Sequence, residues 1–429
     1  MGKYYYHSID EVVYSETCSN GLQVFIIPKA NYNGVTALMA TKFGSLQSKT
    51  TIDYQGHPLC IERGVAHFLE HRIFDYKKGP VIDLYSAMGS YANAFTSYDK
   101  TVFYFYGTKK IQTGIDLLLD FTRELNVSKE SVEKEKEIII NELNMYLDQP
   151  ESVLLHGMLM NLYKNHEIRY DIGGTEQEVR ATSLEMLEAA HATFYHPKNM
   201  ALIIVGNVNV TECFHYIREK VQTFPVVAQN KYQLEQIVEP NEVNCEYSSV
   251  ELPIACQKVM IGYKHLPYPP TLDPKVRNKN EIIWSMYLEL VFGSSSKLNQ
   301  KLLEKGVIVS PIDASKFCGE NYSSTIISAD VYNEEEFIKA IAENIGTVNF
   351  SSVAFERCKH AEIAAFIRNL EDVQGLAVNF VYNFFDGVIA LEDYDVINSI
   401  TYEDVVKFAE LYKIKNRAIF TIKPKEQVK

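Results

Sequence analysis

The stretch His67-Phe68-Leu69-Glu70-His71 constrains this chain most, because its chemistry works in a helix. At 3.6 residues per turn, positions i, i+3 and i+4 fall on one face. Two imidazoles there can grip one metal ion, and the carboxylate beside them can reach a water at that ion. The order is H-x-x-E-H, the reverse of the commoner H-E-x-x-H zinc-protease pattern. The expectation is a helical metal site with His67 and His71 as ligands and Glu70 within reach of a water at the metal.

A chain of 429 residues is too long for one ordinary core and suggests two domains or a repeated pair. The net charge of -13 argues against nucleic acid as the main partner and favours cationic ligands, basic peptides among them. Seven widely spaced cysteines, with no C-x-x-C, suit reduced thiols in a cytoplasmic protein. The opening Met1-Gly2-Lys3-Tyr4-Tyr5-Tyr6 lacks an apolar signal region, and no apolar run reaches membrane-spanning length. No membrane association is expected.

Along the chain, Leu22 to Ile27 and Val35 to Phe43 read as strands, and Ser45 to Cys60 as a polar loop. The metal-motif helix is predicted from about Ile61 to Phe74. Tyr91 to Ser97 and Thr101 to Tyr106 read as a hairpin, and a helix capped by Ser128 runs to about Leu147. Ser183 opens a helix that leads to Lys198-Asn199 and an apolar strand. Thr401 opens another that leads to Lys415-Asn416 and Arg417-Ala418-Ile419-Phe420. This weak repeat marks the ends of two similar domains. The predicted bounds are 1–227 for a metal-bearing domain, 228–248 for a linker and 249–429 for a metal-free domain.

A catalytic zinc takes three protein ligands and keeps one position open. The richest source of a third ligand is the acidic helix from Glu133 to Glu142. Glu142 follows Ile138-Ile139-Ile140, so it sits on a buried part of that helix. Glu135, seven residues earlier, shares its face. A buried glutamate needs a partner, either a metal or a Lys or Arg.

These residues resemble the pitrilysin/insulinase family of inverted zinc peptidases, which includes the mitochondrial processing peptidases. That family carries H-x-x-E-H and, 70 to 80 residues later, E-x6-E. Here Glu135 and Glu142 have that spacing, and Glu142 follows His71 by 71 residues. Tyr91-Ala92-Asn93-Ala94-Phe95-Thr96-Ser97 resembles the family's N-A-x-T strand beside the active site. Met145-Tyr146, Gly173-Gly174 and Tyr195-His196-Pro197-Lys198-Asn199 fit as well. The resemblance implies an α+β fold of two similar domains, each a mostly antiparallel sheet with helices on one face. It also implies one Zn²⁺ held by His67, His71 and Glu142, with Glu70 as general base and then acid. Glu135 would orient the ligands. Asn93, Ala94, Phe95 and Thr96 would bind an extended peptide through backbone hydrogen bonds.

One stretch departs from the family. In a segment resembling L-R-E-K-G-L-A-Y, the second domain usually supplies an arginine and a tyrosine. Here Leu303 and Val309 hold those positions within Leu302-Leu303-Glu304-Lys305-Gly306-Val307-Ile308-Val309. Neither side chain can donate a hydrogen bond. The half-size length then implies a heterodimer, in which a homologous metal-free subunit supplies the missing pair; a homodimer is less favoured. The expected function is zinc endopeptidase action on small unfolded peptides in a closed cavity. The alternative is a non-catalytic peptide-binding or assembly subunit of the same fold.

Overall fold

Strands that are apolar at every position must be covered on both faces. The computed structural model describes residues 1–411 and 416–425. In it, Val35–Thr41 and Met200–Gly206 are buried at every residue. They lie at the centre of a seven-stranded sheet. Its strands are β1 (Gly2–Tyr6), β2 (Glu11–Thr17), β3 (Gln23–Pro28), β4 (Val35–Thr41), β7 (Tyr91–Thr96), β8 (Thr101–Gly107) and β9 (Met200–Gly206), and β5 (Thr51–Tyr54) and β6 (His57–Cys60) form a hairpin outside it. The spatial order is β1-β2-β3-β9-β4-β8-β7. Only β3 and β9 run parallel; the other neighbours are antiparallel.

The β5–β6 hairpin replaces the loop expected over Ser45 to Cys60. Gln55 and Gly56 both take positive φ, 52° and 84°, as a two-residue hairpin turn requires. The metal-motif helix α1 (Val65–Ile73) starts later than expected, because Gly64 breaks it with φ +82°. A Cβ on Gly64 would meet the Gly173 carbonyl oxygen at 2.2 Å, so this close approach also demands glycine. The acidic helix α2 (Lys129–Leu147) runs as read from its cap.

The second sheet has β10 (Tyr247–Leu252), β11 (Gln257–Lys264), β12 (Asp313–Gly319), β13 (Tyr322–Val331) and β14 (Arg417–Pro424), in the order β10-β14-β11-β13-β12. It repeats β3-β9-β4-β8-β7 strand for strand, with one parallel pair followed by three antiparallel ones. The sequence repeat sits at matching places. Asn199 precedes β9 and its carbonyl accepts the Lys42 N–H at 3.1 Å; Asn416 precedes β14 and its carbonyl accepts the Lys264 N–H at 2.9 Å. Lys415, its companion in the motif, lies outside the described residues. Strand β10 precedes β11 and opens the second sheet in sequence.

The chain divides into two compact units, and neither is continuous in sequence. Residues 1–144, 171–236 and 367–392 form one; residues 145–170, 237–366 and 393–429 form the other. The bounds 1–227 and 249–429 therefore miss two segments. Helix α3 (Val373–Phe385) packs on the first sheet, where Phe25 of β3 meets Phe380 and Phe384 at centroid distances of 5.1 and 4.9 Å. Burying Phe380 this fully is worth about 1.5–3 kcal/mol. Helix Pro150–Leu162 does the same for the second sheet, with Gly157 under the Phe420 ring and Met158 and Leu162 against Gly262. Helices lie on one face of each sheet as expected, and one helix from the other half of the sequence covers the opposite face. The segment read as a linker is pinned too. Glu239 accepts the backbone N–H groups of Lys164, Asn165 and His166 and pairs with buried Lys264 at 2.5 Å. Among the described residues, no helix is long and apolar enough to cross a membrane.

Candidate metal centre

Helix α1 presents His67, Glu70 and His71 from one face, and α2 brings Glu142 opposite them. Alternate turns of α1 bury Phe68, Leu69 and Ile73 in the core, which fixes the rotation of the helix about its axis. Glu142 Oε2 lies 3.8 Å from His67 Nε2 and 3.4 Å from His71 Nε2. The three ligand atoms all fall within 4.8 Å of one another. A tetrahedral zinc with bonds of about 2.0–2.1 Å separates neighbouring ligand atoms by about 3.3 Å. Two nitrogens and one carboxylate oxygen at these distances fit zinc.

The glutamates of α2 divide the two partner types foreseen for a buried carboxylate. Glu142 faces the histidines. Glu135 is 8% exposed and faces Arg72, whose guanidinium donates to Oε2 at 2.6 Å. Its Oε1 bonds His71 Nδ1 at 3.0 Å, leaving His71 Nε2 for the metal position. Burial raises the Glu135 pKa, but the bonds from His71 and Arg72 outweigh it and the net direction is downward. Arg72 also pairs with Asp75 at 2.5 Å. The sequence signal for Arg72 was a cation beside the motif, one residue past His71.

The two imidazoles differ. Burial, reinforced by His71, lowers the His67 pKa to about 4, so His67 is neutral. Burial opposes charge on His71 as well, yet Glu135 and Glu142 raise it to about 9. A ligand must be deprotonated, so zinc has to displace the proton of His71. At pH 7 zinc binding should release about one proton per chain, and affinity should fall about tenfold for each pH unit below 9. Calorimetry in buffers of different ionisation heat checks this; a proton-neutral binding enthalpy would refute it.

Glu70 points to the neighbouring strand. Thr96 Oγ1 donates to Glu70 Oε2 at 2.6 Å. Burial pushes the Glu70 pKa up against that hydrogen bond. Strand β7 ends the sheet, so its outer side has no strand neighbour among the described residues. Its side chains alternate. Ala92 and Ala94 pack on the core below, and Thr96 reaches Glu70; Asn93 is exposed and donates to the Tyr91 hydroxyl at 2.9 Å. Phe95 is half-buried on the other face. The strand expected to bind substrate thus also holds the Glu70 carboxylate, through Thr96. Gly173, quoted in the sequence only as a family match, makes a contact that reading did not foresee: a Cβ there would lie 2.7 Å from Leu143 and 3.3 Å from His67 Nδ1. Leu303 and Val309 lie in the second unit, at the end of helix Lys297–Glu304 and after its Gly306 turn, and both are exposed.

Comparison with known proteins agrees with this geometry. Residues 61–176 match the insulinase (peptidase family M16) model, and residues 181–361 match the peptidase M16 inactive domain. The chain is 30% identical over 402 residues to YmfH of Bacillus subtilis, described as an uncharacterized zinc protease, covering 93% of this chain and 94% of that one. It is 23% identical over 420 residues to the zinc protease PqqE of Helicobacter pylori, covering 93% and 89%. The crystal structure of an M16-like peptidase from Alicyclobacillus acidocaldarius superposes with a TM-score of 0.90 at 25% identity, covering 97% of this chain and 99% of that one. On the matched domains and this full-length similarity, the chain belongs to the insulinase, or M16, family of peptidases.

Proposed function

We propose that this chain is the zinc-bearing subunit of an endopeptidase that cuts small unfolded peptides. The observation that carries the reading is the convergence of His67, His71 and Glu142 on one point while Thr96, on a free sheet edge, holds Glu70. His67, His71 and Glu142 would hold a zinc ion, which when bound supplies Lewis-acid activation of water and of a peptide carbonyl. An extended peptide adds to the edge of β7 through backbone hydrogen bonds. Glu70, with its proton affinity raised by burial, accepts a proton from water and delivers it to the leaving amine nitrogen. Thr96 keeps the Glu70 carboxylate from rotating away. Glu135 holds His71 in the tautomer that frees Nε2.

Leu303 and Val309 cannot stabilise a developing oxyanion. We therefore assign the missing Arg/Tyr pair to a homologous metal-free partner in a heterodimer. The acidic charge favours basic peptides, and the seven free thiols favour a reducing, cytoplasmic setting. The test is cleavage of internally quenched short peptides by the purified, zinc-loaded chain, with and without a chelator. Weak, chelator-sensitive cleavage that rises with a partner bearing Arg and Tyr is expected. Full turnover by the isolated chain rules out the heterodimer, and chelator-insensitive cleavage sinks the zinc mechanism. The second reading, a peptide-binding or assembly subunit without activity, draws on the same exposed Leu303 and Val309 and on the match of residues 181–361 to an inactive domain.

A further inference from the structure

Strand β7 has a second face, and the mechanism above does not use it. On that face the Phe95 ring lies parallel to Tyr382 of α3, with centroids 6.1 Å apart and planes 6° apart. The same tyrosine ring lies under a cation, with Lys100 Nζ 4.1 Å from its centroid. Lys100 is 1% exposed, and its carboxylate partner Asp99, at 2.8 Å, is partly open to solvent. A buried ammonium with one such partner needs more compensation, and an aromatic face supplies it.

These contacts bracket the residue that touches the base. Phe95 precedes Thr96, and Ser97 follows it. Ser97 N–H donates to the Lys100 carbonyl at 2.8 Å, and Ser97 Oγ donates to Asp99 at 3.0 Å, closing the turn into β8. One ring on α3 therefore grips both the residue before Thr96 and the buried cation of the turn after it. The backbone of α3 is held in turn by Phe380 and Phe384 against Phe25. The grip comes from almost 300 residues further along the chain.

We infer that Tyr382 is a positioning residue: it clamps Phe95 and Lys100 so that Thr96 meets Glu70 and the outer edge of β7 stays extended for a peptide. The inference rests on the endopeptidase reading for its consequence, but its geometry can be tested without turnover. The full-length zinc-loaded chain and its Tyr382→Leu and Tyr382→Phe variants would be compared by hydrogen exchange and by cleavage of internally quenched peptides. In Tyr382→Leu, zinc content should stay unchanged. Exchange across residues 93–101 should quicken about tenfold, while residues 257–264 of the second unit stay as in the parent. KM should rise about tenfold with a smaller fall in kcat, since a displaced edge weakens peptide pairing first. Tyr382→Phe keeps the ring and should restore both readouts.

Parent-like exchange at 93–101 together with a parent-like KM overturns the inference. So does faster exchange spread equally over both units, which would mark Tyr382 as core packing alone. If Tyr382→Leu does not fold, Lys100→Met removes the cation instead; it should show the same local quickening, and its absence overturns the clamp. A parent chain that cuts no peptide counts against the endopeptidase reading, while exchange still decides this one.

Discussion

Glu70→Gln should keep zinc at the parent stoichiometry and lower peptide cleavage by about 10²–10⁴-fold. The substitution preserves size, and the amide oxygen still accepts the Thr96 hydroxyl that now meets Oε2 at 2.6 Å. It removes only the group that can take up a proton. His67, His71 and Glu142 are untouched, so zinc content measured by metal analysis should not change. The folded state should not suffer either, because a buried amide costs less than a buried carboxylate whose pKa is already pushed up. The loss should appear in kcat, since the proposed role of Glu70 lies with the reacting proton and not with the peptide backbone. Three outcomes discriminate. Retained zinc with lost cleavage supports the base. Lost zinc would make Glu70 a ligand. Unchanged cleavage would place the base elsewhere and sink the mechanism. A peptide-binding scaffold would show no cleavage in the parent and unaltered peptide affinity in the variant.

Removing Glu135 should damage two properties at once, and a second substitution should separate them. Glu135→Ala strips Arg72 of its buried partner. Arg72 is 4% exposed and its Nε already lacks a hydrogen-bond partner, so only the half-exposed carboxylate of Asp75 remains to compensate the buried guanidinium. Breaking such a pair costs about 3–5 kcal/mol, read as a lower unfolding midpoint in chelator. The same change frees His71 Nδ1, now held at 3.0 Å, and zinc affinity should fall about 10–100-fold. The double variant Arg72→Met with Glu135→Leu replaces the pair by apolar groups. It should recover most of the stability and none of the zinc affinity. Recovery of both would show that Glu135 matters only for folding. Recovery of neither would mean that the pair does more than neutralise itself.

The candidate metal centre was legible because each half of it is local. The spacing of His67, Glu70 and His71 sets one face of one helix, and the spacing of Glu135 and Glu142 sets another. The family resemblance assigned Glu142 to the metal and Glu135 to a supporting role; helix periodicity alone left each carboxylate's partner open until the two helices were placed. Arg72 decides it, since its guanidinium reaches Glu135 and leaves Glu142 to the histidines. Thr96 was read as part of the peptide-binding strand. That its hydroxyl instead meets Glu70 follows from strand alternation and the height of α1 against the sheet edge.

The sequence by itself determined the motif helices, the central strands and the pairing of two similar halves. Periodicity, caps and the Lys-Asn repeat depend on neighbours a few residues away. The tertiary structure decided what covers each sheet. Strand β9, apolar throughout, and β4, apolar except at Thr36 and Thr41, announce that a second cover must exist. They do not say that residues 373–385 provide it, nor that 150–162 serve the second sheet. Hydrophobic burial is non-directional, so an apolar face accepts any helix of matching shape. Only the packed chain chooses which helix it is. With that choice came Tyr382 and its hold on the strand that carries Thr96.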